Sequence, residues 1–392
     1  MDTETFIAKY HNSLVFFREF SFSSTRFKPQ GKPEVEFADG VVQLADRLVI
    51  FQMKERAGAG SGDPETERRW FEEKVVGMGA RQIRDTLRYL SSGDEILAPN
   101  ERGDLFNLAA GSYAEIFKVV LYDPANDLPE DCSRKRFHVS KTAGFIHIMD
   151  ARDYLGMTRV LRAPQEILEY LRFREAMLLQ HPDVCATITE RALAGHFIEG
   201  EPDTAPTPAT ADAIDRLADP GEDWDISPII LQFRERIVSG DPNSQLYYSI
   251  VRELSMLPRS AWRAIKERFD LCISNVREDR FELPYRLAHP ATDCGIVLTS
   301  ASSELTSDPN WRNMRANAVE NFAIGHKYDQ RLGKCIGILV SKDGDHIDIQ
   351  WCMIDHPWGE DPVIQQWLDE SNPFRPLSDG EKFGYFTRKD AT

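Results

Sequence analysis

Between Glu199 and Asp225 the chain carries nine acidic residues and one arginine, with Pro202, Pro206, Pro208 and Pro220 spaced among Thr, Ala and Asp. Proline at this density removes backbone donors and like charges repel, so such a segment cannot supply a packed core. The sequence therefore predicts two folding units, residues 1–198 and 222–392, joined by a linker at 199–221 with one weak helical turn around 211–217. At 392 residues the chain is long enough for two to three domains, each with its own core. The acidic stretch holds a net charge of −8, half of the total of −16. An acidic balance argues against tight non-specific binding to nucleic acid, although it leaves room for a local basic face.

Hydrophobic residues make up 42% and charged residues 28%, the balance of a soluble globular protein. No run approaches the roughly 20 apolar residues that a membrane span requires. The first residues lack the basic and apolar regions of a secretory leader, so a cytoplasmic location is expected. The six cysteines are scattered and form no CxxC pair, which excludes a disulfide framework or a zinc ribbon and fits reduced thiols.

In the first unit, apolar patterning predicts strands over 14–22, 35–37, 41–43, 48–51, 116–122 and 144–149. Helices are predicted over 65–77, 80–90 and 165–179, the last opened by Pro164. In the second unit, helices are predicted over 229–238, 247–254, 260–269 and 311–330, with a strand at 295–299. A hairpin of 335–340 with 346–353 should turn at Asp343-Gly344, the strongest turn signal in the chain.

The chemistry concentrates in 34–56. Side chains alternate along a strand, so Gln52 and Lys54 project from one face at the end of a run apolar enough to be central. Burying an amide and an ammonium there is costly unless something uses them. A hairpin between 41–43 and 48–51 brings Asp39 beside both, with Glu36 three residues earlier. Carboxylate, amide and carbonyl oxygens suit a hard divalent cation such as Mg²⁺ or Mn²⁺. In that reading Asp39 ligates directly, the Gln52 amide and the Met53 carbonyl complete the shell, and Lys54 is the cationic partner of an attacking hydroxide.

This segment resembles the PD-(D/E)XK nuclease superfamily over about residues 10–180. The matching positions are Asp39 at the hairpin and Gln52-Met53-Lys54 on the next strand, the Gln-x-Lys variant of the acidic-x-Lys triplet. The resemblance implies a restriction-endonuclease-like mixed sheet flanked by helices, with a second, smaller α/β domain beyond it. Many members carry another acidic residue upstream, for which Glu36 and Glu19 are both candidates. The implied activity is Mg²⁺-dependent hydrolysis of DNA phosphodiesters, with a role in restriction or anti-phage defence.

Arg81, Arg84 and Arg88 recur on one helical stripe, and residues 68–90 hold six basic against three acidic residues. Contact with DNA phosphates is the functional reading of that stripe, and a solvated face the structural one. Gln82 beside it resembles a polar helix position that supports the site in several branches of the superfamily. The glycine-rich 58–62 lacks both the P-loop and the GxGxxG spacing. Neither a Gly-x-Ser-x-Gly elbow nor a His-Glu-x-x-His motif occurs. The second unit is expected to sense, target or self-associate, through a protein partner or a second copy. Two rival readings are a binding or scaffold protein that kept the fold without turnover, for which the neutral Gln52 argues, and an enzyme whose site lies around His346 and Asp355.

Overall fold

A computed structural model describes residues 2–31, 33–58, 60–125, 128–217, 221–235, 243–280, 282–289 and 292–375. The chain divides into an N-terminal unit reaching Ala218 and a C-terminal unit beginning at Asp219. Among the described residues no helix is long and apolar enough to cross a membrane.

The N-terminal unit opens with α1 (Thr3–Ser13) and α2 (Val15–Phe20), followed by β1 (Ser21–Phe27), β2 (Val35–Leu44) and β3 (Arg47–Glu55). Next, α3 (Pro64–Trp70) passes through a π-helical stretch, Phe71–Met78, into α4 (Gly79–Leu90), and a small hairpin of β4 (Leu97–Pro99) and β5 (Leu105–Asn107) precedes β6 (Glu115–Asp123). The remainder is α5 (Glu130–Ser133), β7 (Phe137–Ser140), β8 (Gly144–Asp150), α6 (Ala151–Val160), α7 (Pro164–Gln180), α8 (Pro182–Cys185) and α9 (Glu190–Glu199).

Six strands form one mixed sheet in the order β1-β2-β3-β6-β8-β7. β3, β6 and β8 run parallel, and the outer pairings are antiparallel. Central parallel strands are covered on both faces, which is why Leu48, Val49, Ile50 and Phe51 are all buried. Leu48, Ile50 and Val120 pack under Phe71, Val75 and Ile83 on one face. On the other, Phe51 meets the rings of His11 and Tyr154.

Two local expectations need correction. Most of 14–22 is helical: Phe16, Phe17 and Phe20 are all buried in α2, and the strand starts only at Ser21. A short apolar run satisfies helix and strand periodicity alike, and the aromatic spacing here serves a helix. The helices at 65–77 and 80–90 are parts of one uninterrupted helical segment, in which Gly77 lies in the π-helical stretch and Gly79 opens α4.

The acidic stretch folds back on α9 rather than extending as a free connection. Thr210 Oγ1 donates to the Ala192 carbonyl at 2.6 Å, and His196 Nε2 lies 2.9 Å from the Thr204 carbonyl oxygen. Arg191 pairs with Asp215 and Arg216 with Glu199, each at 2.6 Å. The segment is held by these hydrogen bonds and ion pairs together with the buried Pro206 and Ala213. Close approach requires Gly195: a Cβ there would lie 1.8 Å from the Thr210 carbonyl oxygen. Without that contact Gly195→Ala would stabilise α9 by about 1 kcal/mol through helix propensity. With it, the expected sign is reversed, a loss of about 1–3 kcal/mol in urea denaturation together with new protease sensitivity in 201–217. A stabilised variant would show that the strap does not sit on α9 in solution.

The C-terminal unit comprises α10 (Gly221–Trp224), α11 (Ser227–Glu235), α12 (Asn243–Ser255), α13 (Arg259–Arg277), β9 (Tyr285–His289), β10 (Cys294–Ser300), α14 (Ser303–Ser307), α15 (Trp311–Asp329), β11 (Lys334–Asp343), β12 (His346–Asp355) and α16 (Pro362–Ser371). Its sheet has the order β12-β11-β10-β9, with β10 and β11 parallel and bridged by α15. The Asp343-Gly344 hairpin forms, with Gly344 at φ 61°. Val297, Val319, Ala323, Leu339 and the thiols of Cys335 and Cys352 share one core. Residues 236–238 of a predicted helix lie outside the described residues. The chain is thus mixed α/β, with a mixed sheet flanked by helices and a second sheet unit, and all six cysteines are free and buried.

Candidate active site

The β2–β3 hairpin pairs from Leu44 with Arg47 to Gly40 with Phe51 and stops there, while β3 continues along β6 to Glu55 opposite Asp123. The two strands part just before Asp39 and Gln52. At that point the Asp39 side chain replaces the lost strand: its Oδ2 accepts from Met53 N–H at 2.5 Å and from Lys54 Nζ at 3.2 Å. Lys54 Nζ also donates to the Met53 carbonyl at 2.7 Å. Asp39 is buried inside the ten-residue β2, whereas the sequence places it just past a short strand. Its Oδ1 accepts no hydrogen bond from any described residue.

Gln52 is only 2% exposed, and its Oε1 is buried without a hydrogen-bond partner among the described residues. An unpaired buried acceptor costs about 1–3 kcal/mol, so this position is held at a cost to the fold. Two open oxygens, Asp39 Oδ1 and Gln52 Oε1, and the Met53 carbonyl are the hard donors that fit Mg²⁺. Among the described residues no group of three His, Cys, Asp or Glu side chains is arranged to hold a metal ion. An oxygen set here therefore depends on an amide and a carbonyl beside the carboxylate.

Glu36 joins this face through a β-bulge. Thr25 pairs with Ala38 but Arg26 with Glu36, so Phe37 is an extra residue on β2 and the side-chain alternation shifts by one. Glu36 is exposed, and its carboxyl is raised above the ordinary value by partial burial and then by the charges of Asp39 and Glu4. Glu36, one of the two upstream candidates, has a carboxyl that feels the Asp39 charge. Glu19 is fully buried in α2, with Arg18 at 3.7 Å.

α4 fixes the bulge and crosses the site. Thr86 Oγ1 donates to the bulged Phe37 carbonyl at 2.6 Å. At the other end of the crossing, a Cβ on Gly79 would lie 2.9 Å from Val120, the β6 neighbour of Gln52. Gln82 lies between these anchors, and its Oε1 is likewise buried without a hydrogen-bond partner. On the outer side of the helix Arg81, Arg84 and Arg88 are exposed and, with Asp85 and Thr142, line a cleft of about 570 Å³. Arg88 pairs with Asp85 at 3.0 Å, while Arg81 and Arg84 have no carboxylate partner among the described residues. Partial burial and then the charges of Lys135 and Arg84 depress the His138 imidazole.

Sequence reasoning missed a wall of the site. A cavity of about 180 Å³ adjoins Asp39 and is bounded by α1, β1 and the turn after β4, which contributes Asn100 and Glu101. Asn100 Oδ1 accepts from Arg102 N–H and Asp104 N–H and shapes that turn, and Glu101 lies 3.4 Å from Arg18. The signal that could have found it is the Pro-Asn-x-x-Gly turn at 99–103 between apolar residues. His11 closes the floor, hydrogen-bonded to the Tyr154 hydroxyl at 2.7 Å, and burial lowers its imidazole to about 4.

The other motifs acquire structural partners. Glu67 accepts from Arg56 and from Ser61 N–H, holding the glycine loop while those bonds lower its carboxyl to about 2. In the C-terminal unit Asp348 pairs with Arg315, and His346 is exposed at the hairpin turn. No family model, curated protein or solved structure matches the chain.

Proposed function

We propose that the N-terminal unit is a restriction-endonuclease-like nuclease domain that hydrolyses DNA phosphodiesters. The observation that carries this reading is Asp39 at the parting of β2 and β3, tied through Oδ2 to Met53 N–H and Lys54, beside the unsatisfied Gln52 amide oxygen. The element order supports it: a helix, the β1–β2–β3 meander, a crossover helix, and β6 parallel to β3.

Asp39 Oδ1, Gln52 Oε1 and the Met53 carbonyl, with Glu36 at the rim, would hold Mg²⁺ or Mn²⁺. A bound ion supplies Lewis-acid polarisation of the phosphate and a bound water acidic enough to lose a proton near neutral pH. Hydrolysis adds water oxygen to phosphorus and expels the sugar oxygen, so negative charge builds on the phosphoryl group. In this reading the Lys54 ammonium would stabilise that charge and orient the attacking water. Arg81 and Arg84 supply phosphate contacts that position the strand without reading its sequence. The C-terminal unit, in this proposal, docks a protein partner or a second copy, and the protein serves restriction or anti-phage defence in the cytoplasm.

The binding-protein reading is favoured by one observation: Lys54 already neutralises Asp39, and Gln52 adds no charge. Cleavage of plasmid and linear DNA with Mg²⁺ or Mn²⁺ decides between them. Wild-type protein is expected to cut, and Lys54→Ala to lose at least about 100-fold, the scale of one lost transition-state donor. Folded wild-type protein that cuts neither substrate would overturn the nuclease reading.

A further inference from the structure

We infer that the cavity beside Asp39 seats a single unpaired pyrimidine base, so that the domain acts on DNA carrying an extrahelical or unpaired nucleotide. This rests on the nucleic-acid reading above and goes beyond it in naming what the site must grip. The first argument is size. A cavity of about 150 Å³ holds one benzene-sized ring, and this one is about 180 Å³. It therefore takes one six-membered ring with its substituents, whereas a fused purine would have to project from its mouth.

The second argument is chemistry. Phe22 and Val41 give the cavity a buried apolar side. Asn12 of α1 lies half-buried on the wall, and its amide makes no hydrogen bond with any described residue. Ser21 Oγ is buried and without a hydrogen-bond partner. An amide offers a donor and an acceptor side by side, which matches the paired donor and acceptor on the edge of a pyrimidine. Open polar groups facing the apolar side formed by Phe22 and Val41 are what a flipped base requires.

The third argument is position. Asp39 belongs both to this wall and to the proposed cleavage site, so a base held here fixes the adjoining phosphodiester next to the Asp39 carboxylate. The arginine cleft on α4 is lined by a different set of residues. Backbone grip and base grip are accordingly separable.

The test is fluorescence anisotropy with the full chain and a metal chelator, which reads binding independently of cutting. The probes are a short DNA duplex with one unpaired thymine, the same duplex with an abasic analogue at that place, and one with an unpaired adenine. Wild-type protein is expected to prefer the thymine duplex over the abasic one about 10-fold, the scale of one stacked base, and over the adenine duplex as well. Asn12→Ala and the cavity-filling Asn12→Leu should abolish the preference while leaving the affinity for the abasic duplex unchanged. Equal affinity for thymine and abasic duplexes, a preference for adenine, or a preference that survives both variants would each overturn the assignment. Protein that shows the thymine preference yet never cuts DNA would keep the cavity and lose the nuclease. Protein that cuts without any base preference would do the reverse.

Discussion

Arg174→Ala is expected to destabilise the N-terminal unit by about 3–5 kcal/mol, the cost of stranding a buried charge. Arg174 is 0% exposed and Glu190 2%. Arg174 Nε donates to Glu190 Oε1 at 2.8 Å, and Nη2 donates to Glu190 Oε2 at 3.2 Å and to the Ile148 carbonyl at 3.1 Å. Arg136 adds a second cation 3.2 Å from Glu190, and the Tyr170 hydroxyl donates to the same carboxylate. Burial works against the Glu190 charge, and the two arginines more than offset it, so its carboxyl stays below the usual range. The network joins α7, α9 and β8, beside the packing of Tyr170 and Phe173 on Phe197. Urea denaturation measures the effect, and Arg174→Met combined with Glu190→Met should recover part of it, because a well-packed apolar pair often replaces a buried ion pair at little cost. A loss under about 1 kcal/mol from Arg174→Ala would place the network in the range of surface pairs instead.

Asp39→Ala is expected to lower Mg²⁺-dependent DNA cleavage by at least about 100-fold, at the upper end of what loss of an outer partner costs a metal site. Asp39→Asn should lose nearly as much while keeping the fold. The amide can still accept from Met53 N–H, but it supplies no charge to a cation and leaves Lys54 without its carboxylate. Comparing the two variants separates chemistry from stability, since alanine additionally leaves the Met53 N–H without its acceptor. If Asn and Ala variants both cut at the wild-type rate, the chemistry lies elsewhere in the chain.

Much of the core of the N-terminal sheet was legible because burial on both faces writes a continuous apolar run. Leu48–Phe51, Ile116–Tyr122 and Gly144–Met149 all fall within observed strands. The pairing of Asp39 with Lys54 was also legible, since strand alternation and hairpin length fix it. The bulge at Phe37 was not, because an extra residue in a strand leaves no periodic signature of its own. Nor was the β4–β5 hairpin, whose strands of three residues are too short to show alternation. The packing of 201–217 on α9 was not legible for a physical reason: composition reports whether a segment can build a core, not which helix it lies against.

The helical segment Pro64–Leu90 changes hydrogen-bond register at Phe71–Met78 before it reaches the arginines. Each residue of an α-helix turns the chain by about 100°, so the compass bearing of Arg81, Arg84 and Arg88 is set by how many residues the wider turn absorbs. Length and bearing are thereby uncoupled. Gaining or losing a residue within Phe71–Met78 would rotate α4, with its arginines and its Gly79 and Thr86 contacts, relative to α3, so the two ends of the helical segment could not both keep their seats.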